Sequence, residues 1–237
     1  MRDPVTLCAD ASAGWHSGWL DALGLRSERD HDAWRAVDPP PYIYFAAIAL
    51  HRETPTEAVS SAAGSVCDPW QTLDLSAHDF KAWRREPWMY RRPGDSSEAP
   101  PPELEIIRVT TPAEIETLEL VSVRGFSNDE SQTIAPGTFH PPSILEDPRM
   151  VLWLGQVDGK PVGAAMSYRT DEAVGIFGVT TIPTARRRGY GGALTSVALL
   201  TDTGLPAVLA PSPQGEPVYA RLGFERVGEL LIWSRKA

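Results

Sequence analysis

Cysteine is scarce: Cys8 and Cys67 are the two in 237 residues, far apart and outside any metal-ligand spacing. That scarcity argues against a disulfide framework and a cysteine-ligated zinc site, so no metal is expected, and it fits a reducing, cytoplasmic setting. Basic charge is also short. Lysine and arginine number 22 against 31 aspartates and glutamates, a net charge of −9, so the chain lacks the positive surface with which a general nucleic-acid binder neutralises phosphates. No apolar run approaches the length that spans a bilayer, and residues 1–19 lack the continuous apolar core of a secretory leader. Neither export, membrane insertion nor a nucleic-acid partner is expected. What the chain does have is apolar content, 42%, enough to bury a core in one large domain or two small ones.

The stretch "YRRPGDSSEAPPPE", Tyr90 to Glu103, buries little and favours turns. It predicts a linker at 93–103 between a smaller α/β domain, 1–92, and a second domain, 104–237. In the first part Val5 to Leu25 reads as a helix, Pro41 to Leu50 as a buried strand and Thr56 to Ala63 as helical. Six of the eight tryptophans lie there, Trp15 to Trp88, so it is expected to be folded and to pack its apolar surface on the second part. In the second part Leu104 to Thr110 reads as a strand, followed by a helix with Thr111 at its N-cap and Pro112 at its first position. Phe126 to Pro148 has no sustained period and is a candidate lid. Asp158-Gly159 marks a hairpin turn, and Glu172 to Ile182 a third strand. Then come a glycine-rich turn, a helix from Gly189 to Thr201, a strand in Pro206 to Ala210, a helix in Glu216 to Gly223, and two final strands around Gly228-Glu229.

The turn, "TARRRGYGGAL", carries three consecutive arginines in an acidic chain. A strand, a glycine-rich turn and a helix in that order place unpaired N–H groups and a helix dipole outward, which is an anion site. Gly189, Gly191 and Gly192 allow close backbone approach, and Arg186 to Arg188 add charge that pairs with phosphate oxygens. The pattern matches neither a Walker loop nor a dinucleotide fingerprint, and exposed arginines at an ordinary helix start would look the same.

Two motifs in order point further. Arg186-x-x-Gly189-x-Gly191 and "VYARLGFERVG" resemble the coenzyme A motif and the C-terminal Tyr-x-x-x-Gly-Phe segment of the GNAT superfamily of N-acetyltransferases. The resemblance covers roughly Leu104 to Ala237 and implies an α/β fold with a mixed, mostly antiparallel sheet flanked by helices. It implies acetyl-coenzyme A as cofactor, with the pyrophosphate on backbone N–H groups from Arg187 through Gly189, Tyr190, Gly191 and Gly192 to Ala193, and Arg186 and Arg188 as side-chain partners. The Arg187 side chain is read as solvated. Val179 and Thr181 would offer backbone groups to the pantetheine arm, the N–H of Val179 facing the thioester oxygen. Tyr219 would be the general acid for the leaving sulfur, its pKa of about 10 lying near the thiol's 8.5 or so. Ser212 stands where many members keep a cofactor-binding asparagine.

The general base is the open position. Glu172 lies near where many members hold a catalytic glutamate, and His140, Asp129 and Glu130 in the candidate lid are alternatives. Neither cysteine sits in a nucleophile motif, so direct attack by an amine of a small molecule or peptide in a ternary complex is expected. A catalytically silent acyl-coenzyme A binding protein is the competing reading, and a homodimer stays open. Residues 76–94 also align without gaps with 220–237, setting Phe80 on Phe224 and Arg91 on Arg235, so the first part reads as a degenerate GNAT-like half without the phosphate turn.

Overall fold

A computed structural model describes residues 2–94 and 99–236; four residues of the expected linker, 95–98, lie outside the described residues. Chain order is α1 (Pro4–Ala22), β1 (Ser27–Arg29), β2 (Ala33–Ala36), β3 (Ala47–Ala49), β4 (Val66–Asp68), β5 (Phe80–Arg91), β6 (Glu105–Arg108), α2 (Pro112–Ser127), β7 (Met150–Val157), β8 (Lys160–Arg169), β9 (Val174–Thr181), α3 (Tyr190–Leu199), β10 (Ala207–Leu209), α4 (Glu216–Arg221) and β11 (Glu225–Arg235). Local chemistry accounts for several boundaries. Asp3 accepts from Thr6 N to start α1, and Thr111 with Glu114 forms a capping box on α2. Asp158 (φ 50°) and Gly159 (φ 71°) make the two-residue turn between β7 and β8.

Among the described residues, all strands join one sheet in the order β1-β2-β3-β4-β11-β5-β10-β9-β8-β7-β6. The order repeats outward from the central β5·β11 pair: on each side an antiparallel neighbour, then a parallel pair (β4·β3 and β10·β9), then an antiparallel meander. Each half has handed its last strand to the other. β5 fills the slot between β10 and β11, and β11 the slot between β4 and β5. The expected linker therefore joins two segments of one sheet.

Three local expectations change. The strand read over Pro41 to Leu50 shrinks to β3, because residues 41–45 form a turn in which Tyr44 N bonds Pro41 O. The helix read over Thr56 to Ala63 is a single 3₁₀ turn at Thr56–Ala58. The two closing strands are one strand, β11, whose register shifts between Arg226 and Gly228. Val227 is the extra residue of a bulge, so Gly228-Glu229 bends the strand without reversing it.

α1 and α2 lie over one face of the sheet and share the main core with Leu152, Met166 and Ile232, whereas α3 and α4 lie with Ile176, Val174 and Phe224 on the other. α1 crosses several strands, and small residues let it come close. A Cβ on Gly228 would stand 3.0 Å from Val5, one on Gly175 3.1 Å from Ala11, and one on Gly14 2.5 Å from the Tyr168 ring.

Burial in this face sets an acid limit. His16, whose Nδ1–H donates to Ser12 O, is held down at about 4, and His140 at about 3, both by desolvation. Both lie below the unfolded value of about 6.5, so their neutral forms are favoured in the fold; the stability they contribute is full above pH 6.5 and lost as pH falls towards 4 and then 3. For His16 the gap is worth about 3 kcal/mol. Thermal melts should show Tm falling already between pH 6.5 and 5, before carboxylates titrate; a flat profile over that window would contradict the burial of these rings.

Candidate functional site: an opened strand edge beside a helix N-terminus

β9 pairs with β8 along its length but with β10 only at Val174 and Gly175. Beyond Gly175 the two parallel strands part, leaving the β9 edge open towards its C-terminal end, the place where parallel pairs hold ligands. A bulge lies on that edge. Ala164 opposes Thr180 and Met166 opposes Phe177, so Ala165 faces both Gly178 (φ 60°) and Val179. The extra residue inverts the alternation of faces. Phe177 packs on the α1–α2 side, Val179 joins the α3–α4 cluster, and Thr180 is thrown back against α2. There Gly125 is required, because a Cβ would run into the Thr180 hydroxyl.

The chain then turns through Pro183–Ala185 into α3. Arg186 departs from the expectation of an anion-binding side chain. Its Nη2 donates to Gly125 O at 2.8 Å, its Nη1 to Asn128 Oδ1 at 2.6 Å and its Nε to Thr181 O at 3.3 Å, so it straps the turn to the end of α2. Thr184 N adds a bond to Glu130. Arg187 takes the left-handed conformation (φ 61°), and it and Arg188 are exposed with no ion pair among the described residues. Gly189, at φ 83°, is the N-cap and no side chain caps the helix. Ala193 N is bonded to Gly189 O, which leaves the first-turn N–H groups of Tyr190, Gly191 and Gly192 as the available donors. A Cβ on Gly191 would meet nothing within 4 Å. The Tyr190 ring is buried, its hydroxyl on Glu103.

Tyr219 and Ser212 lie on either side of Gly215. A Cβ there would stand 3.0 Å from the Tyr219 ring and 3.5 Å from Ser212 Oγ. Ser212 Oγ accepts from Gly215 N and shapes the entry to α4. Tyr219 packs edge-on to Phe224 at 6.0 Å and, like Val179, borders the α3–α4 cluster. Burial pushes its phenol up to about 12, against a lowering contact with the Thr195 side chain. Thr195, buried in α3, donates to Gly191 O at 2.8 Å. Sequence reading missed Thr195, although four residues after Gly191 is the same helix face, and missed Phe177, which stacks on Trp15 at 4.8 Å.

Of the proposed bases, Glu172 and His140 lie away from this group, whereas Glu130 is held against its turn by Thr184 N. Glu172 sits in the β8–β9 turn, ion-paired to Arg2, and Val174 to Val179 is about 16 Å of strand in the other direction. His140 is buried edge-on to Trp19 at 4.6 Å. Asp129 bonds Ser131 and Gln132, which hold its carboxyl low, and Glu130 holds Thr184. The candidate lid is anchored at its middle: the buried Glu119 carboxylate accepts from Gly137, Phe139 and His140 N, and Tyr44 Oη donates to Phe139 O.

Residues 115–224 match the acetyltransferase (GNAT) family model. A GCN5-related N-acetyltransferase from Kribbella flavida is similar over 98% of this chain and 96% of its own, at 18% identity and a TM-score of 0.69. A putative acetyltransferase of the GNAT family from Novosphingobium aromaticivorans covers 97% and 99%, at 13% identity and a TM-score of 0.62. A GCN5-related N-acetyltransferase-like protein from Streptococcus suis covers 98% of each chain, at 14% identity and a TM-score of 0.53. No curated protein matches the chain. At such identities the likeness carries the fold, and it extends through the N-terminal half. The match to the acetyltransferase (GNAT) family model spans residues 115–224, and the chain as a whole shares its fold with these solved structures.

Proposed function

We propose that the protein is an acetyl-coenzyme A dependent N-acetyltransferase that passes the acetyl group directly to an amine of a small molecule or peptide. The observation that supports it most is the uncapped N-terminus of α3, with Gly191 facing open space, beside the bulged and unpaired edge of β9. Those residues fit a pyrophosphate followed by a pantetheine arm: the first-turn N–H groups and Arg188 take the phosphates, and Val179 and Thr181 offer backbone groups to the arm. Bound acetyl-coenzyme A supplies an activated thioester. The Val179 N–H would then donate to the carbonyl oxygen, where negative charge grows during attack. Tyr219 would give its proton to the departing sulfur; burial, which raises its pKa to about 12, widens the gap to the thiol's 8.5 or so and makes that transfer more uphill than an exposed phenol's.

The aromatic wall of Trp15 and Phe177 faces the other side of the β9 edge and is the surface offered to the acceptor. With Glu172 and His140 engaged elsewhere and Glu130 held by Thr184 N, an acceptor that is already neutral is the one favoured. An α-amine with pKa near 7.7 loses its proton at a cost of about 1 kcal/mol at pH 7, against 4 to 5 for a lysine-like amine near 10.4.

Tyr219→Phe tests the assignment. Turnover should fall about 100-fold or more while coenzyme A affinity stays within about twofold, because the ring and its Phe224 contact are kept. Unchanged turnover would remove Tyr219 from the chemistry.

A further inference from the structure

Outside this site, one cluster of donors is assembled by two turns of the N-terminal half. His31 and Asp32 lie in the turn from β1 to β2, and His51 follows β3. One ligand atom from each falls within 4.8 Å of the others. The turns are locked together by Asp32 O, which accepts from Leu50 N at 2.9 Å and Thr54 Oγ1 at 2.8 Å, with Thr54 buried. The donors are thus positioned before any ligand arrives.

We propose that His31, Asp32 and His51 form a site for a divalent transition-metal ion such as zinc. His51 Nε2 already stands 3.1 Å from Asp32 Oδ1, close to the spacing of about 3.4 Å between neighbouring ligands of a tetrahedral ion with bonds of 2.0–2.2 Å or so. The His31 and His51 ring centroids lie 4.4 Å apart with their planes 36° to one another, which puts a nitrogen of each ring within 4.8 Å of the Asp32 carboxylate. Glu53 Oε2 lies 3.8 Å from His51 Nδ1, near enough to take up that N–H once Nε2, which in the empty site donates to Asp32, is turned to a metal. The charge pattern agrees. Arg2 and Arg29 are paired with Asp10, and Arg35 with Asp30 and Glu28, whereas the ion pairs of Asp32 and Glu53 among the described residues run only to His51. Nearby cations are therefore held by other carboxylates, and this pair of acids is left to a metal. The cluster borders a cleft of about 560 Å³ whose wall also carries Arg2, Arg29, Asp10 and Asp30.

The location has a structural logic. β3 is the counterpart of β9, and both are followed, at the C-terminal end of a parallel pair, by a ligand-facing turn. One half has glycines and arginines there; the other has His51. The sequence concealed this set because its members are split between two turns and include no cysteine.

Untagged protein titrated with zinc chloride by calorimetry, with a chromophoric chelator as competitor, tests the site. One equivalent should bind, and His31→Ala and His51→Ala should each weaken it at least tenfold, Glu53→Gln less so. His31→Ala should keep the wild-type Tm without metal, because the ring is exposed, and no variant should change coenzyme A affinity. No stoichiometric binding, or zinc binding that persists in the His31→Ala/His51→Ala pair, would overturn the proposal.

Discussion

Truncation to residues 99–237 should yield a polypeptide that does not melt cooperatively, although it contains every residue of the acetyltransferase motif. β5 is lost, and with it the register from Phe80↔Arg235 to Tyr90↔Glu225 and the bridge from β11 to β10 through Ala207↔Arg91. β10 is only three residues long and would keep just its two pairs with β9. α1 is lost too. Its buried Val5, Leu7, Trp19 and Leu20 contribute roughly 1.5–3 kcal/mol each, so about 6–12 together, against a whole-domain stability of about 5–15. The fragment should bind a hydrophobic dye and show no thermal transition by circular dichroism. This is stronger than composition alone suggests, since a tryptophan-rich N-terminal part that merely docked would leave the coenzyme A site standing. A soluble fragment with a sharp transition would show that β5 is not an integral strand.

The second large effect is at Gly191. Gly191→Glu should leave the fold intact and weaken coenzyme A about 100-fold or more. The side chain enters open space, so nothing is displaced. In the first turn of a helix a glutamate is favoured over glycine by propensity and by the dipole, each worth a few tenths to 1 kcal/mol or so, so Tm should hold or rise. What changes is the anion cradle, where a carboxylate occupies the space offered to a phosphate and repels it; a loss near 3 kcal/mol corresponds to the stated factor. Calorimetric titration with coenzyme A checks it, with Tm from the same preparation. Equal affinity at equal Tm would place the cofactor elsewhere.

Local signals carried much of the architecture. α2 was legible because Thr111, Pro112 and Glu114 state its start, and the β7–β8 hairpin because Asp158-Gly159 fits its turn. The alignment of residues 76–94 with 220–237 matched β5 to the closing strand, but its place between β10 and β11 was hidden, because it depends on partners far along the chain that no local period records. Gly228 misled for a related reason: it resembles a turn residue, yet it makes room for Val5 where α1 crosses. At the site, the glycines of the turn read directly. Arg186 did not, because its partners Gly125 O and Asn128 belong to another helix end, and an arginine in an anion motif looks the same whether it binds the anion or the loop.

The most direct test of the account is to incubate the purified full chain with acetyl-coenzyme A and a panel of amines graded in pKa, and to measure free thiol and acetylated amine together. The account predicts equimolar thiol and N-acetyl product, favouring amines neutral near pH 7, with both lost in Gly191→Glu. Saturable coenzyme A binding with neither thiol release nor product across the panel would contradict it and make the protein a binding module.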